Sequence, residues 1–176
     1  MLLVPQLSVL TMSFANKISW SHNDFLQGSE HRLSSWKNLR QELQADLENQ
    51  AWIQKVVDFW SLAPLQSRVL DYSQSATWPG PWQLMHAGDF DENAVSLGMF
   101  YTCALSQDRR WQSQGLELLL LKDYKNHREQ LAVCIEKTWL IGWEYKTIKS
   151  WQTLGNQVML QHCWRWDLDT YLAVSV

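Results

Sequence analysis

Three cysteines, five histidines and several carboxylates are the side chains here that could carry acyl-transfer chemistry. A papain-like or transglutaminase-like site needs a cysteine at a helix N-terminus, where the helix dipole lowers the thiol pKa, and a histidine on a following strand. At the start of the helix expected over 90–105 stands Asp91, which cannot replace a thiolate. Cys103 lies about three turns later, beyond the reach of the dipole. The sequence therefore predicts a structural Cys103 and no thiol nucleophile.

Two histidines, His86 and His127, suggest a different chemistry, general acid–base catalysis. His86 is close in sequence to Asp89 and Asp91, and the three side chains could form a small acid–base cluster. Helix capping explains both aspartates more simply, because Asp89 followed by Glu92 has the capping-box spacing. His127 falls where a strand should begin, and a solvated turn is its expected place. We therefore predict no catalytic residue.

No metal or cofactor site is expected. Cys103, Cys134 and Cys163 are widely spaced and lack metal-ligand spacing, so we expect buried, reduced thiols. His162 and Cys163 are neighbours on an expected strand, where their side chains point to opposite faces and cannot readily ligate one metal. The chain contains no P-loop, dinucleotide-binding fingerprint, G-x-S-x-G or H-E-x-x-H motif.

The composition bounds the class of protein. With 176 residues, 46% of them apolar and 19% charged, the chain can form one globular domain with a substantial core. A net charge of −3 and the lack of a basic run argue against nucleic acid as a partner. The stretch with Lys122, Lys125, His127 and Arg128 also holds Asp123 and Glu129, which favours a solvated turn. The apolar start, 1–12, is too short to cross a bilayer and lacks a signal-peptide leader, so no membrane contact is predicted.

Amphipathic helices should come first. Residues 1–33 carry turn signals and are expected to be an irregular N-terminal arm. Ser34 and Ser35 are good caps for a helix beginning at Trp36, from which apolar residues recur at the helical period. One long helix and two stacked helices with a break near Asn49 both fit the pattern.

The Trp-Pro-Gly-Pro-Trp stretch predicts a stiff structural elbow. Each proline fixes φ and restricts the residue before it, so Pro79 and Pro81 favour an extended or turned backbone. Trp78 and Trp82 are large apolar anchors that we expect to be buried. In the helix that follows, Gly98 costs about 1 kcal/mol relative to alanine, which predicts that something packs closely there.

From Gly115 onward the apolar period changes to two, which indicates strands. The short apolar run 116–121 suits a strand buried on both faces, and the alternating segments are 131–135, 139–145 and 158–166. A tight turn is expected at Glu136-Lys137. Helices followed by consecutive strands predict an α+β fold, with N-terminal helices packed on a C-terminal antiparallel β-sheet, a meander. A single α+β domain should span 34–176.

The segments 57–64, 78–84 and 91–102 carry motifs that resemble a family of uncharacterised small proteins of tailed bacteriophages, notably those of cyanobacteria. The motifs look like that family's D-[WF]-W-x-x-A-P, W-P-x-P-W-x-L and L-G-[IM]-x-Y-T, and they cover about residues 55–105. The family often has a cysteine after the phenylalanine at the helix start, where this chain has Phe90-Asp91. If the family conceals a degenerate cysteine-hydrolase or transglutaminase-like arrangement, the chain has lost the nucleophile.

The resemblance and the missing nucleophile favour a non-enzymatic virion structural protein of the neck, tail or baseplate that acts as an assembly adaptor. The expected partners are other virion proteins, in multiple copies within a symmetric assembly. The expected location is the virion, after synthesis in the host cytoplasm. Among the 12 tryptophans, three in predicted loops are candidates for partner contacts, or else close their own core: Trp20, Trp111 and Trp151.

Two alternatives remain open at this point. One is a small hydrolase or amidase of papain-like or transglutaminase-like ancestry that uses His86, Asp91 or His127. The other is a binding protein made early in infection for takeover of the host.

Overall fold

The computed structural model describes residues 23–43, 49–67, 70–106, 115–154, 156–167 and 172–175. The helices are α1 (Ser29–Glu42), α2 (Asn49–Trp60), α3 (Pro81–Ala87), α4 (Glu92–Ala104) and α5 (Trp151–Leu154). The strands are β1 (Leu116–Asp123), β2 (Arg128–Ile135), β3 (Trp139–Ile141), β4 (Ile148–Ser150), β5 (Met159–Asp167) and β6 (Leu172–Ser175). None of these helices has the length and apolar character that crossing a membrane requires.

The strands form one antiparallel sheet in the order β4-β3-β2-β1-β5-β6. Strands β1 to β4 follow one another as a meander, and β5 then crosses to the free side of β1. The predicted α+β class, with helices packed on an antiparallel sheet, is confirmed. The tight turn after β2 is also confirmed, since Glu136 and Lys137 both adopt a positive φ and the Thr138 N–H donates to the Ile135 carbonyl at 3.0 Å.

Helix α4 is the centre of the fold. It packs against β2 and β1 on one side and against α2 and α3 on the other. From Ala94 to Ala104 every residue is buried, which explains why this helix has no polar face. The close contact predicted at Gly98 is present, because the ring of Trp60 lies against the Gly98 backbone.

The sheet separates two apolar cores, as expected for β1, a strand buried on both faces. On the helical side, Leu118 and Leu120 join the large core with α2 and α4. On the other side, Leu119 and Leu121 join a smaller core that α5 covers. Alternation along β1 therefore supplies both cores.

Helix α1 begins at Ser29, not at Trp36 as predicted. Gly28, with φ 100°, lets the chain turn into the helix, and Arg32 anchors the first turn by donating to the carbonyls of Met85 and His86 at 2.9 and 2.8 Å. The expected irregular stretch is therefore helical from Ser29 onward, while residues 1–22 lie outside the described residues. Helices α1 and α2 are separate, which decides between the two arrangements that the pattern allowed.

The proline elbow leads directly into a helix that the sequence analysis missed. Pro81 occupies the first position of α3, where a missing N–H has no cost. Trp78 is buried as predicted and donates from Nε1 to the Asp71 carbonyl at 2.8 Å, while Pro79 presents its carbonyl to the Tyr101 hydroxyl at 3.0 Å. The expectation for Trp82 was wrong. Its side chain is 49% exposed because it lies on the outer face of α3.

Strand β3 is shorter than the alternation over 139–145 predicted. Gly142 adopts φ 82°, which ends the extended backbone after Ile141. Strands β4 and β6 and helix α5 are too short to leave a periodic signal of their own.

Candidate functional site

The start of α4 is fixed by the carboxylate of Asp91. One oxygen accepts the Ala94 backbone N–H at 2.7 Å and the other accepts that of Leu70 at 2.9 Å. The side chain is 7% exposed. The predicted capping box on Asp89 was wrong, because the helix begins two residues later. Asp89 instead accepts a hydrogen bond from the Gln66 side chain at the surface.

A cleft of about 650 Å³ opens beside this helix start. Its wall is the loop after α2, which is held against the helix entry by a hydrogen bond from the Gln66 N–H to the Phe90 carbonyl at 2.7 Å. We call it the α4 cleft; it is lined by Leu65, Gln66, Leu70, Asp71, Tyr72, Ser73, Asp91, Glu92 and Asn93. Among these lining residues are three carboxylates and no cation.

A smaller pocket continues from the α4 cleft and shares Leu65 and Glu92 with it. Tyr145 forms part of its wall and donates from its hydroxyl to the Ser61 carbonyl at the end of α2. Leu65 and Tyr145 are large apolar side chains that stay 45% and 44% exposed. The surface formed by the α4 cleft and the smaller pocket thus combines exposed apolar side chains with carboxylates.

Strand β2 faces the helix start with Arg128 and Gln130 rather than with a histidine. Both Nε and Nη2 of Arg128 donate to Gln130 Oε1, at 2.9 and 2.6 Å, and its guanidinium lies 4.8 Å from the Trp143 ring centroid. Nη2 also lies 3.7 Å from a Glu92 carboxylate oxygen. Asn93 secures the same strand by accepting the Leu131 N–H at 2.9 Å.

The loop after β3 completes this network. Gln130, which is buried, donates to the Gly142 carbonyl at 2.5 Å, and the Ser96 hydroxyl donates to the same carbonyl at 3.3 Å. A Cβ at Gly142 would lie 2.5 Å from the Ser96 oxygen. The network thus joins strand β2, the loop after β3 and helix α4.

The thiols lie away from the α4 cleft. Cys103 is fully buried in the last turn of α4, and burial raises the pKa of its thiol. Cys134 and Cys163 belong to the smaller core on the opposite sheet face. Burial, with the nearby Glu117 carboxylate second, raises the pKa of Cys134 to about 12 and also raises that of Cys163. The prediction of a structural Cys103 agrees with these surroundings, which favour the neutral thiol.

The histidines are not gathered into a site by the described contacts. His127 lies exposed in the β1–β2 turn with φ 50°, as predicted for a solvated turn. His86 is exposed on α3, and its backbone carbonyl, not its ring, binds Arg32. The ring centroid of His162 lies 4.4 Å from that of Trp164, with the rings tilted by 55°, while Cys163 faces the smaller core, so the two neighbours do point to opposite faces. Within the described segments, no group of three or more His, Cys, Asp and Glu side chains is arranged to hold a metal ion.

Of the candidate contact tryptophans, only one is described. Trp151 is half-buried against the smaller core, and its backbone N–H donates to the Thr138 carbonyl at 2.8 Å. Trp20 and Trp111 lie outside the described residues. Of the elbow tryptophans, Trp78 lies with its ring centroid 4.8 Å from that of Trp164 on β5, and Trp82 lies 6.2 Å from Trp36 on α1.

The sequence analysis found Asp91 but missed its partners. Leu70 is 21 residues away along the chain, and the Arg128–Gln130–Gly142 network joins two strands to a loop. Gly142 was the one residue whose type pointed to this network, because a glycine there interrupts the alternation of apolar residues along the third strand.

Helices that precede an antiparallel sheet, with a buried helix lying on its two central strands, define the α+β class of this chain. Solved structures of Legionella pneumophila LapG share the arrangement. One matches with a TM-score of 0.61 and 13% identity, covering 77% of this chain and 73% of LapG. The calcium-bound form of LapG matches with a TM-score of 0.61 and 13% identity, covering 80% of this chain and 78% of LapG. The EGTA-treated form matches with a TM-score of 0.63 and 12% identity, covering 84% of this chain and 82% of LapG.

At these identities the likeness shows the fold alone. The likeness therefore agrees with the α+β fold that the sequence predicts. No family model and no curated protein matches the chain.

Proposed function

We propose that this chain is a non-enzymatic structural protein of a tailed-phage particle, an assembly adaptor that binds neighbouring virion proteins. The motifs over 57–64, 78–84 and 91–102 support the phage assignment through their family resemblance. On this proposal the α+β fold serves as a rigid scaffold for binding. On this proposal the α4 cleft, with its exposed Leu65 and Tyr145, is the surface that receives a partner.

The observation that carries the proposal is the hydrogen bonding of Asp91. A thiol hydrolase of this architecture places its nucleophile at the start of the helix, where the dipole stabilises a thiolate. Here a carboxylate occupies that place, and it is engaged by the N–H groups of Ala94 and Leu70. A side chain used in this way stabilises the helix start and the cleft wall. It is poorly placed to attack a substrate.

The surface chemistry of the cleft supports a binding role. Exposed large apolar groups next to polar and charged neighbours are typical of partner contacts. The walls are held by backbone hydrogen bonds and by the Arg128–Gln130–Gly142 network, so the surface is preorganised. Preorganisation reduces the entropy lost when a partner binds.

Mass spectrometry of purified phage particles tests the proposal. The protein should be present at a fixed ratio to a known virion component after density-gradient purification and nuclease treatment. An early protein of the infected cell used as the control should be lost over the same steps. Absence of this chain from intact particles would reject the virion role, and synthesis only early in infection would favour the host-takeover alternative.

The fold that this chain shares with LapG supports a second candidate function, a small hydrolase or amidase that uses the carboxylates of the α4 cleft. Asp91→Asn tests it, because asparagine is also a good N-cap residue but carries no charge. Loss of hydrolysis of peptide amides by a folded Asp91→Asn variant would support an enzyme. No hydrolysis by the wild-type chain over the same panel of peptides would leave the binding role in place.

A further inference from the structure

A separate cavity of about 250 Å³ opens where α1 and α4 end. Its described lining consists of Lys37, Arg40 and Gln41 from the last two turns of α1 and of Leu105, the residue that follows α4. We call it the Arg40 groove. The α4 cleft is lined by residues at the start of α4, so the groove and the cleft lie at opposite ends of that helix.

The indole of Trp36 holds the Arg40 guanidinium in place. Arg40 Cζ lies 4.0 Å from the Trp36 ring centroid, and Arg40 Nε donates to the Trp36 backbone carbonyl at 3.4 Å. Trp36 is itself buried and donates from Nε1 to the Thr102 hydroxyl. The half-exposed ring of Trp82 lies edge-on to the same indole, with the two centroids 6.2 Å apart. A stacked cation and an exposed aromatic ring therefore share one rigid anchor.

The cations of the groove have no acidic partner within the described part of the chain. Neither Lys37 nor Arg40 forms an ion pair there, and Glu42, the acid nearest to them in sequence, pairs with Lys55 of α2 at 3.3 Å. Arg40 is half-buried, and this burial lowers the pKa of its guanidinium. Because removing a cation from water costs free energy, a carboxylate bound beside Arg40 would offset part of that cost.

The surroundings of the groove favour a carboxylate on a peptide over other anions. The ends of α1 and α4 present carbonyls, not the N–H groups with which helix N-termini bind phosphate. An anion must therefore be held by side chains, and a guanidinium can bind a carboxylate through two parallel hydrogen bonds. Leu105 and Trp82 add apolar area that suits the neighbouring side chains of a peptide. Two cations in a chain of net charge −3 are too few to follow a nucleic-acid backbone.

We propose that the Arg40 groove is a second docking surface, which binds an acidic segment of a partner protein. A carboxylate of the segment pairs with Arg40 and Lys37, and an adjacent apolar side chain packs on Trp82 and Leu105. This surface adds to the one at the α4 cleft, so that the chain contacts two neighbours at opposite ends of α4. The contact itself does not depend on the virion role.

An NMR titration of the isolated protein with short peptides tests the contact. The probe is a capped pentapeptide in which two glutamates flank a leucine between terminal glycines, and the matched peptide has glutamine in place of both glutamates. We expect the glutamate peptide to shift the Trp82 indole N–H and the Arg40 Nε–H resonances to saturation. The glutamine peptide should bind at least about tenfold more weakly, because it cannot form charge-assisted hydrogen bonds. Inorganic phosphate at the same ionic strength is the third arm and should leave both resonances in place.

Variants separate binding from a purely structural role of Arg40. Arg40 lies in the last turn of α1, where a cation also stabilises the helix dipole. Arg40→Gln should raise the Kd of the glutamate peptide at least about tenfold. Lys37→Gln, at an exposed position, should raise it about threefold and serves as the test if Arg40→Gln does not fold. Lys125→Gln removes an exposed cation in the β1–β2 turn and should leave the Kd within about twofold.

Urea denaturation of each variant shows whether it folds. A folded Arg40→Gln variant that is less stable but binds the glutamate peptide as the wild type does would assign Arg40 to the helix dipole alone and overturn the proposal. Absence of shifts with the glutamate peptide, equal binding of the glutamine peptide, or saturation of the same resonances by phosphate would overturn it as well. These readouts use the isolated protein, so they stand apart from the analysis of phage particles.

Discussion

The indole ring of Trp60 lies on the backbone of Gly98, so close that a Cβ added at Gly98 would be 2.1 Å from Trp60 Cη2. This contact sets the distance between α2 and α4. It explains a glycine in the middle of a fully buried helix, where local propensity alone argues against one. Trp60 is itself fully buried and held by its Nε1 donating to Thr102 at 2.9 Å.

Gly98→Ala should therefore destabilise the protein, although alanine is the better helix former. Overpacking against a rigid ring costs about 1–3 kcal/mol or more, which exceeds the roughly 1 kcal/mol gained in helix propensity. We expect a net loss of about 1–2 kcal/mol in the free energy of unfolding, measured by urea denaturation. Asn38→Ala on the exposed face of α1 is the control and should change it by less than about 0.5 kcal/mol. A more stable Gly98→Ala variant would contradict the contact.

Two replacements of Asp91 should show how much its hydrogen bonds contribute to the free energy of unfolding. Asp91→Ala loses the helix cap and leaves the Leu70 N–H without its acceptor, so we expect a loss of about 2–3 kcal/mol. Asp91→Asn keeps one acceptor oxygen and should lose about half as much. Chemical denaturation checks both values. The nearby Asp89→Ala, at an exposed site, should cost less than about 0.5 kcal/mol; an equal cost would show that Asp91 has no special role.

Thr102 is a shared acceptor in the large core. Its hydroxyl oxygen accepts the indole N–H of Trp36 at 2.8 Å and that of Trp60 at 2.9 Å, and donates to the Gly98 carbonyl at 2.7 Å. Thr102→Val preserves shape but leaves two buried donors without an acceptor, at about 1–3 kcal/mol each. We expect thermal unfolding to show a loss of about 2–4 kcal/mol, far more than for Thr138→Val at the surface. Similar losses for the two variants would refute the shared-acceptor role.

Stability should fall between pH 8 and pH 10 because of the buried thiols. The pKa of Cys134 is raised from 9.0 to about 12 by burial, so above pH 9 the unfolded chain loses this proton while the folded chain keeps it. The stabilisation is complete below pH 9 and is lost as the pH rises toward 12, by about 1.4 kcal/mol for this thiol at pH 10.

Cys134→Ala isolates that contribution. The variant should be less stable at both pH values, but its decrease from pH 8 to pH 10 should be smaller than that of the wild type by about 1.4 kcal/mol. Urea denaturation at the two pH values measures the difference. An unchanged pH dependence would mean that the Cys134 thiol ionises as easily in the folded chain as in the unfolded chain.

Periodicity determined the order and type of the long elements. The apolar stripe of α2, the apolar run of β1 and the hairpin turn at Glu136-Lys137 are local sequence patterns. The structure contains the elements that these patterns predict. The close contact at Gly98 was also predictable, since a glycine in the middle of a helix is favoured where a neighbouring group packs closely. The capping role of Asp91 was likewise readable from the sequence.

Only the tertiary structure decided how these elements meet. The placement of β5 beside β1, the half-exposed Trp82 and the start of α1 at Ser29 depend on contacts between residues far apart in the chain. The same holds for the α4 cleft, whose wall is tied to the helix start by Gln66 on Phe90 and by Leu70 on Asp91. Hydrogen bonds and packing between distant segments leave no periodic trace in a sequence, because either partner alone is compatible with many folds.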